Sequence, residues 1–199
     1  MERYDIDLCL GIANQMLANH QDTPLDMERY RNAFGFPITG YYEKIGIDLK
    51  KESFEVLTEK FVQQYNEGIK SCHLFEVVKP ILNQFKTKGQ TQFILTAAHL
   101  DLVIPLLQQF DILHHFEQVE GVDNYHAKGK INREVQLMQD HSIQPEKTVL
   151  IGDTYHDFEV ASAMNIDCIL VADGHQSKER LVDFTNGEIL VLNNLNELI

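Results

Sequence analysis

Long apolar runs are missing from this sequence. No stretch approaches the roughly 18 uninterrupted apolar residues that a membrane span needs. The opening residues, MERYDIDLCL, lack the basic-then-apolar order of a secretory leader. Cysteine is scarce. Cys9, Cys72 and Cys168 are far apart, odd in number and outside any C-x-x-C or Cys/His ligand spacing. That excludes a disulfide framework or a zinc module. The thiols read as small buried apolar residues in a reducing compartment, with the cytoplasm as the natural inference. Basic charge is also short, because 17 Lys and Arg face 30 Asp and Glu for a net charge of −13. Such a balance argues against nucleic acid as a partner. It leaves room for an anionic small molecule, since the local field of a pocket outweighs distant surface charge. No G-x-G-x-x-G or Walker loop occurs, which removes the usual nucleotide cradles. The histidines are dispersed and form no H-E-x-x-H, and no repeat, low-complexity segment or obvious linker appears.

What is present is an ordinary globular composition, 44% hydrophobic and 24% charged over 199 residues. That length suits one domain, or one domain with a small inserted one, and suffices for a core without staples. Two halves differ in period. Through about residue 74 the pattern is helical. Leu8, Ile12, Met16 and Leu17 fall on one face, and Phe54, Leu57, Phe61 and Tyr65 on another. DTPLDMERYRNAFG reads as a helix capped by Asp22 or Thr23, with Pro24 in the first turn and Gly35 as the stop. From about residue 75 strands alternate with helices: TQFILT, FEQVEG, TVLIGD, DCILVAD and EILVL are the strands. That order implies an α/β fold with a parallel sheet covered by helices. Ligands of such sheets sit beyond the carboxyl ends of the strands.

Three of those ends carry polar residues. Thr96 closes FILT and precedes Ala97 and Ala98, where a hydroxyl beside free backbone N–H groups can hold a phosphate oxygen. A threonine there also serves as a simple turn or cap residue. Lys128 and Lys130 lie in NYHAKGKINREV, just ahead of a helix, where a lysine can neutralise a phosphoryl group or simply be solvated. Asp153 and Asp157 follow the apolar run VLIG in VLIGDTYHDFEVA. Magnesium takes hard oxygen ligands and commonly one or two carboxylates from the protein. The competing reading is an N-cap aspartate with a dipole-favouring carboxylate, together worth about 1 kcal/mol.

The ordered series Thr, Lys and Gly-Asp-x-x-x-Asp resembles the haloacid dehalogenase superfamily, in particular its phosphoglycolate-phosphatase-like members with a helical cap. FILTAAH is similar to that family's second motif, and LIGDTYHDFEVASAMNIDCILVADG to its fourth. The resemblance implies a Rossmann-like core over residues 75–199 and a helical cap over 1–74. It implies a Mg2+-dependent phosphatase acting on a small phosphate monoester through an aspartyl-phosphate. Thr96, Ala97 and Lys130 (with Lys128 as the rival) would bind the phosphoryl group, Asp153 and Asp157 the metal, and Arg31, Phe34 and Phe36 the substrate from the cap. A small phosphorylated metabolite is then the partner, with neither nucleic acid nor membrane involved.

One motif is missing. The family's nucleophile is the first aspartate of D-x-D-G-T at the end of a first, central strand, and no such motif occurs here. YDIDLCL offers Asp5 and Asp7, but Leu8 and Cys9 stand where glycine and threonine belong. Residues 6–20 fit the first cap helix already. Three explanations follow. The native chain begins upstream of Met1; or a true short form closes its sheet without that strand, or borrows one, and binds without catalysing; or ERYDID substitutes as a short strand with Asp5 as nucleophile. The second makes the chain a phosphate-binding or assembly module.

Overall fold

Hydrophobic periodicity places the first helix, and the computed structural model bears it out. It describes residues 5–20, 23–122 and 137–199. α1 (Asp5–Leu17) buries Leu8, Ile12, Met16 and Leu17, the face expected from spacing, together with Ile6, Cys9 and Ala13. Full burial of such side chains stabilises by about 1.5–3 kcal/mol each. Asp5 opens this helix, so the short strand considered for ERYDID is not formed over residues 5–7. Residues 1–4 lie outside the described residues.

α2 (Met27–Ala33) starts later than its sequence suggested. Asp26, not Asp22 or Thr23, is the cap, and its side chain accepts from Arg29 N–H at 2.7 Å; Asp22 itself lies outside the described residues. The physical reason is Asn14. Its Nδ2 donates to Leu25 O at 2.9 Å and its Oδ1 accepts from Leu25 N–H at 2.7 Å. A backbone whose donor and acceptor are both taken by a side chain has no call on helical partners. Pro24 therefore precedes the helix, and Leu25 is buried. α3 (Ile38–Ile45) ends at Gly46, whose φ of 100° suits the left-handed C-cap. α4 (Phe54–Gly68) is capped by Ser53 and drives Leu57 fully into the interior. Phe54, Phe61 and Tyr65 are half-buried along the same helix.

α5 (Val78–Thr87) accepts Pro80 because it falls in the first turn, and Gly89 follows its end with φ of 74°. β1 (Phe93–His99) then pairs in parallel with β2 (Gln118–Val122). α6 (Leu100–Gln109) lies between them in sequence, capped by His99. β3 (Val149–Gly152), α7 (Tyr155–Met164), β4 (Asp167–Val171), α8 (Lys178–Phe184) and β5 (Leu190–Leu192) complete the alternation. Residues 137–140 are helical; the rest of the helix expected over INREVQ lies outside the described residues.

The fold is thus α/β with parallel strand pairing and surrounding helices. The described strands form two sheets, β1-β2 and β3-β4-β5, with β4 and β5 parallel. Among the described residues no strand lies against the outer edge of β3. Val149 and Ile151 on that strand are 45% and 36% exposed.

The chain divides into two compact units. One comprises 1–73, 151–158 and 168–194; the other 74–150, 159–167 and 195–199. The second unit is centred on Leu82, Leu107, Ile112 and Val119, packed with Leu74, Ile94, Val103 and Phe116. All three cysteines are buried free thiols.

Candidate functional site

Asp153 and Asp157 belong to the first unit, where a glycine next to each carboxylate leaves it room. β3 ends at Gly152, and a Cβ there would collide with the Asp157 side chain. The chain turns through Asp153 and Thr154 into α7, which carries Asp157 in its first turn. Asp157 Oδ2 accepts from the Asp153 N–H at 3.1 Å, the Thr154 N–H at 2.9 Å and the Thr154 hydroxyl at 2.8 Å. An acid at this helical position reaching back to the cap N–H is half of a capping box. The capping role is therefore real, and its three bonds all fall on one oxygen.

Asp153 is held in the same manner. Its Oδ2 accepts from His175 N–H at 2.7 Å, and Gly174 beside it has no space for a Cβ against that carboxylate. Burial pushes the Asp153 pKa above the ordinary carboxylate range. The nearby His175 and its N–H pull it back, while the charges of Asp157 and Asp5 push it further up. Asp5 is close enough to contribute here, and it also hydrogen-bonds Tyr65, whose pKa is raised mainly by burial.

α2 and the segment following it meet this loop through several polar contacts. Arg31 Nε donates to Gly174 O and its Nη2 to Asp173 O, each at 3.0 Å. Two of the three guanidinium nitrogens are thus committed to backbone carbonyls. Phe34 stacks on the His175 ring with centroids 4.6 Å apart, and Tyr30 Oη shares a 2.9 Å hydrogen bond with His175 Nδ1. Phe36 lies 5.1 Å from the His156 ring, and its backbone exchanges hydrogen bonds with the Tyr155 hydroxyl. Arg180 Nη1 donates to Arg31 O at 2.8 Å and to Phe34 O at 2.5 Å. Burial lowers the Arg180 pKa, consistent with a guanidinium used inside the protein.

Thr96 belongs to the other unit. The β1-β2 ladder runs in register through Leu95↔Glu120 and resumes at His99↔Val122, so Thr96, Ala97 and Ala98 form a bulge. The Thr96 hydroxyl accepts from Ala98 N–H at 3.1 Å, which stabilises this bulge locally. Gly121 faces it because a Cβ would stand 2.8 Å from Ala98 O. Ala97 is exposed at the bulge. Lys128 and Lys130 lie outside the described residues.

Of the residues singled out from sequence, the structure gathers Arg31, Phe34, Phe36, Asp153 and Asp157, with Asp5 near Asp153, in one unit. Thr154, His175 and Gln176 escaped the sequence reading. The signal that could have found His175 and Gln176 is the strand end after CILVAD, where a glycine precedes the polar run HQSKER, and Thr154 adjoins the acidic motif itself.

The acidic pair suits a small hard cation. Both carboxylates tie down Oδ2 by backbone donors, and no hydrogen bond engages either Oδ1 among the described residues. The buried Asp153 carboxylate, with the Asp157 charge beside it, gains from a positive ion nearby. Among the described residues no cluster of three or more His, Cys, Asp and Glu is arranged for a metal. A two-carboxylate donor set, with water completing the shell, is the habit of Mg2+.

Comparison with known proteins agrees with the α/β fold. A family model described as haloacid dehalogenase-like hydrolase matches residues 5–171. A phosphoglycolate phosphatase of Vibrio vulnificus is 32% identical over 113 residues, covering 56% of this chain and 48% of that protein. The tyrosine-protein kinase PtkA of Mycobacterium tuberculosis is 28% identical over 103 residues, 51% of this chain and 35% of its own. The matched regions thus span half or less of these relatives. Among solved structures, a putative phosphoglycolate phosphatase from Lactobacillus delbrueckii subsp. bulgaricus superposes with a TM-score of 0.73 at 16% identity, covering 98% of this chain and 90% of that one. Among the described residues no helix is long and apolar enough to cross a membrane.

Proposed function

This chain belongs to the haloacid dehalogenase-like hydrolase family, and on that premise we propose that it works as a Mg2+-dependent phosphatase of a small phosphate monoester. The observation that carries the reading is the pair Asp153 and Asp157, each with Oδ2 anchored by backbone N–H and, among the described residues, no hydrogen bond on Oδ1. Bound there, Mg2+ would neutralise charge on the transferring phosphoryl oxygens. Thr96, with the Ala97 N–H, and Lys130 would bind the phosphoryl group, with Arg31, Phe34 and Phe36 contributed by a helical cap over residues 1–74. A carboxylate nucleophile in the complete enzyme would form an aspartyl-phosphate, which water then hydrolyses. The kinship to phosphoglycolate phosphatases makes a small phosphorylated carboxylate the first substrate to try.

The test is hydrolysis of an aryl phosphate, and of phosphoglycolate, with and without Mg2+, by the wild type and Asp153→Asn. Turnover that needs Mg2+ and disappears in Asp153→Asn is the expected result for a catalytic chain. A second reading has its own support: Asp5 sits in a helix, D-x-D-G-T is absent, and the outer edge of β3 exposes Val149 and Ile151. On that reading the chain binds phosphate, or assembles with a partner that supplies a strand, without turning substrate over. Phosphate binding with no hydrolysis by the same protein would select it.

A further inference from the structure

Residues 173–176 lie between β4 and α8, and they reach Asp153, the start of α7 and α2. His175 N–H holds Asp153 Oδ2 at 2.7 Å. One residue later, the Gln176 side chain is 1% exposed. Its Oε1 accepts from Tyr155 N–H at 2.8 Å. Tyr155 is the first residue of α7, and its N–H is among the donors that a helix start leaves without an internal acceptor. The other end of the same amide, Nε2, donates to Phe34 O at 3.1 Å.

A buried amide is costly unless both ends are bonded, and an apolar residue could fill this space more simply. The two bonds of Gln176 join three things: the loop that fixes Asp153, the helix start that fixes Asp157, and the end of α2. The adjoining His175 ring is clamped by the Tyr30 hydroxyl and the Phe34 face.

We propose that Gln176 is a positioning residue for the Asp153–Asp157 pair, holding the two carboxylates in one arrangement from behind. This rests on the reading of that pair as a Mg2+ site. Gln176 acts through the Tyr155 N–H and the loop backbone. A residue that orients metal ligands typically alters affinity more than its own bond energy suggests, because the donor set loses its preformed geometry.

The experiment is calorimetric titration of MgCl2 into the full chain: wild type, Gln176→Met, Tyr30→Phe and Asp153→Asn. Urea denaturation of each without metal accompanies it. Gln176→Met should weaken Mg2+ binding about 10- to 100-fold. Tyr30→Phe is nearly isosteric and removes the hydroxyl that His175 Nδ1 shares. It should weaken binding roughly two- to tenfold, and it carries the test should Gln176→Met fail to fold. Variants that lose stability without metal yet bind Mg2+ as tightly as the wild type would overturn the positioning role alone. A wild type whose titration matches that of Asp153→Asn would overturn the metal reading, and this role with it.

Discussion

At the scale of single residues, Asp157 divides its work between two oxygens, and the division can be separated by substitution. Oδ2 accepts from two backbone N–H groups and the Thr154 hydroxyl. Asn in its place keeps an acceptor for the loop and loses the charge, whereas Ala loses both. We expect Asp157→Ala to lower stability by about 1–3 kcal/mol, the range for leaving buried donors unsatisfied. Asp157→Asn should stay within about 1 kcal/mol of the wild type. Neither should be stabilised by added Mg2+, while the wild type should gain with concentration as binding to the folded state requires. Urea denaturation with and without Mg2+ reads both quantities. Equal Mg2+ stabilisation of Asp157→Asn and wild type would remove Asp157 from the metal site.

At the scale of elements, the packing of β2 and its preceding turn places a histidine where charge is unwelcome. His115 is buried, and among the described residues its Nδ1 has no hydrogen-bond partner. Burial pushes its pKa down, and neighbouring His114 and Lys86 add to the effect. The folded state therefore holds His115 neutral after the unfolded chain has begun to take up a proton. Stability from this residue is present above the unfolded value near 6.5 and is lost as pH falls below it towards the folded value. His115→Leu should flatten the decline in urea midpoint between pH 7 and pH 5, with little change at pH 7.5. An unchanged decline would show that other groups govern it.

The helical elements show how far local pattern reaches. The inward faces of α1 and α4 follow from spacing alone, because a 3.6-residue period leaves few alternatives. The start of α2 does not follow, since it depends on Asn14 reaching across to Leu25. A side chain eleven residues away competes with a cap, and no local rule weighs that competition. Similarly, FILT was legible as a strand, but the bulge after Leu95 depends on pairing with β2 and on Gly121 opposite.

On the scale of the whole molecule, β3 has no strand against its outer edge among the described residues, and Val149 and Ile151 on it are exposed. Edge strands with apolar side chains and unpaired backbone are templates for further pairing. If a partner strand completes this edge, self-association should weaken in Val149→Lys. Sedimentation velocity at several concentrations would show it, with folding stability held within about 0.5 kcal/mol as for a typical surface change. A wild type that remains monomeric throughout would count against pairing with a second copy.

The sequence by itself determined the order of helices and strands, the α/β class, and the acidic pair after VLIG. Each of these rests on a periodicity or on a short stretch whose geometry is local. Only the tertiary structure decided which carboxylate oxygens are engaged and which are open, because His175 N–H comes from a loop 22 residues beyond Asp153. It also decided that Arg31 spends two nitrogens on the carbonyls of Asp173 and Gly174, and that Gln176 is buried rather than solvated. The Arg31 contacts and the bond of Gln176 to Phe34 join segments more than a hundred residues apart. Their free energy depends on burial and on partners that no local stretch of sequence contains.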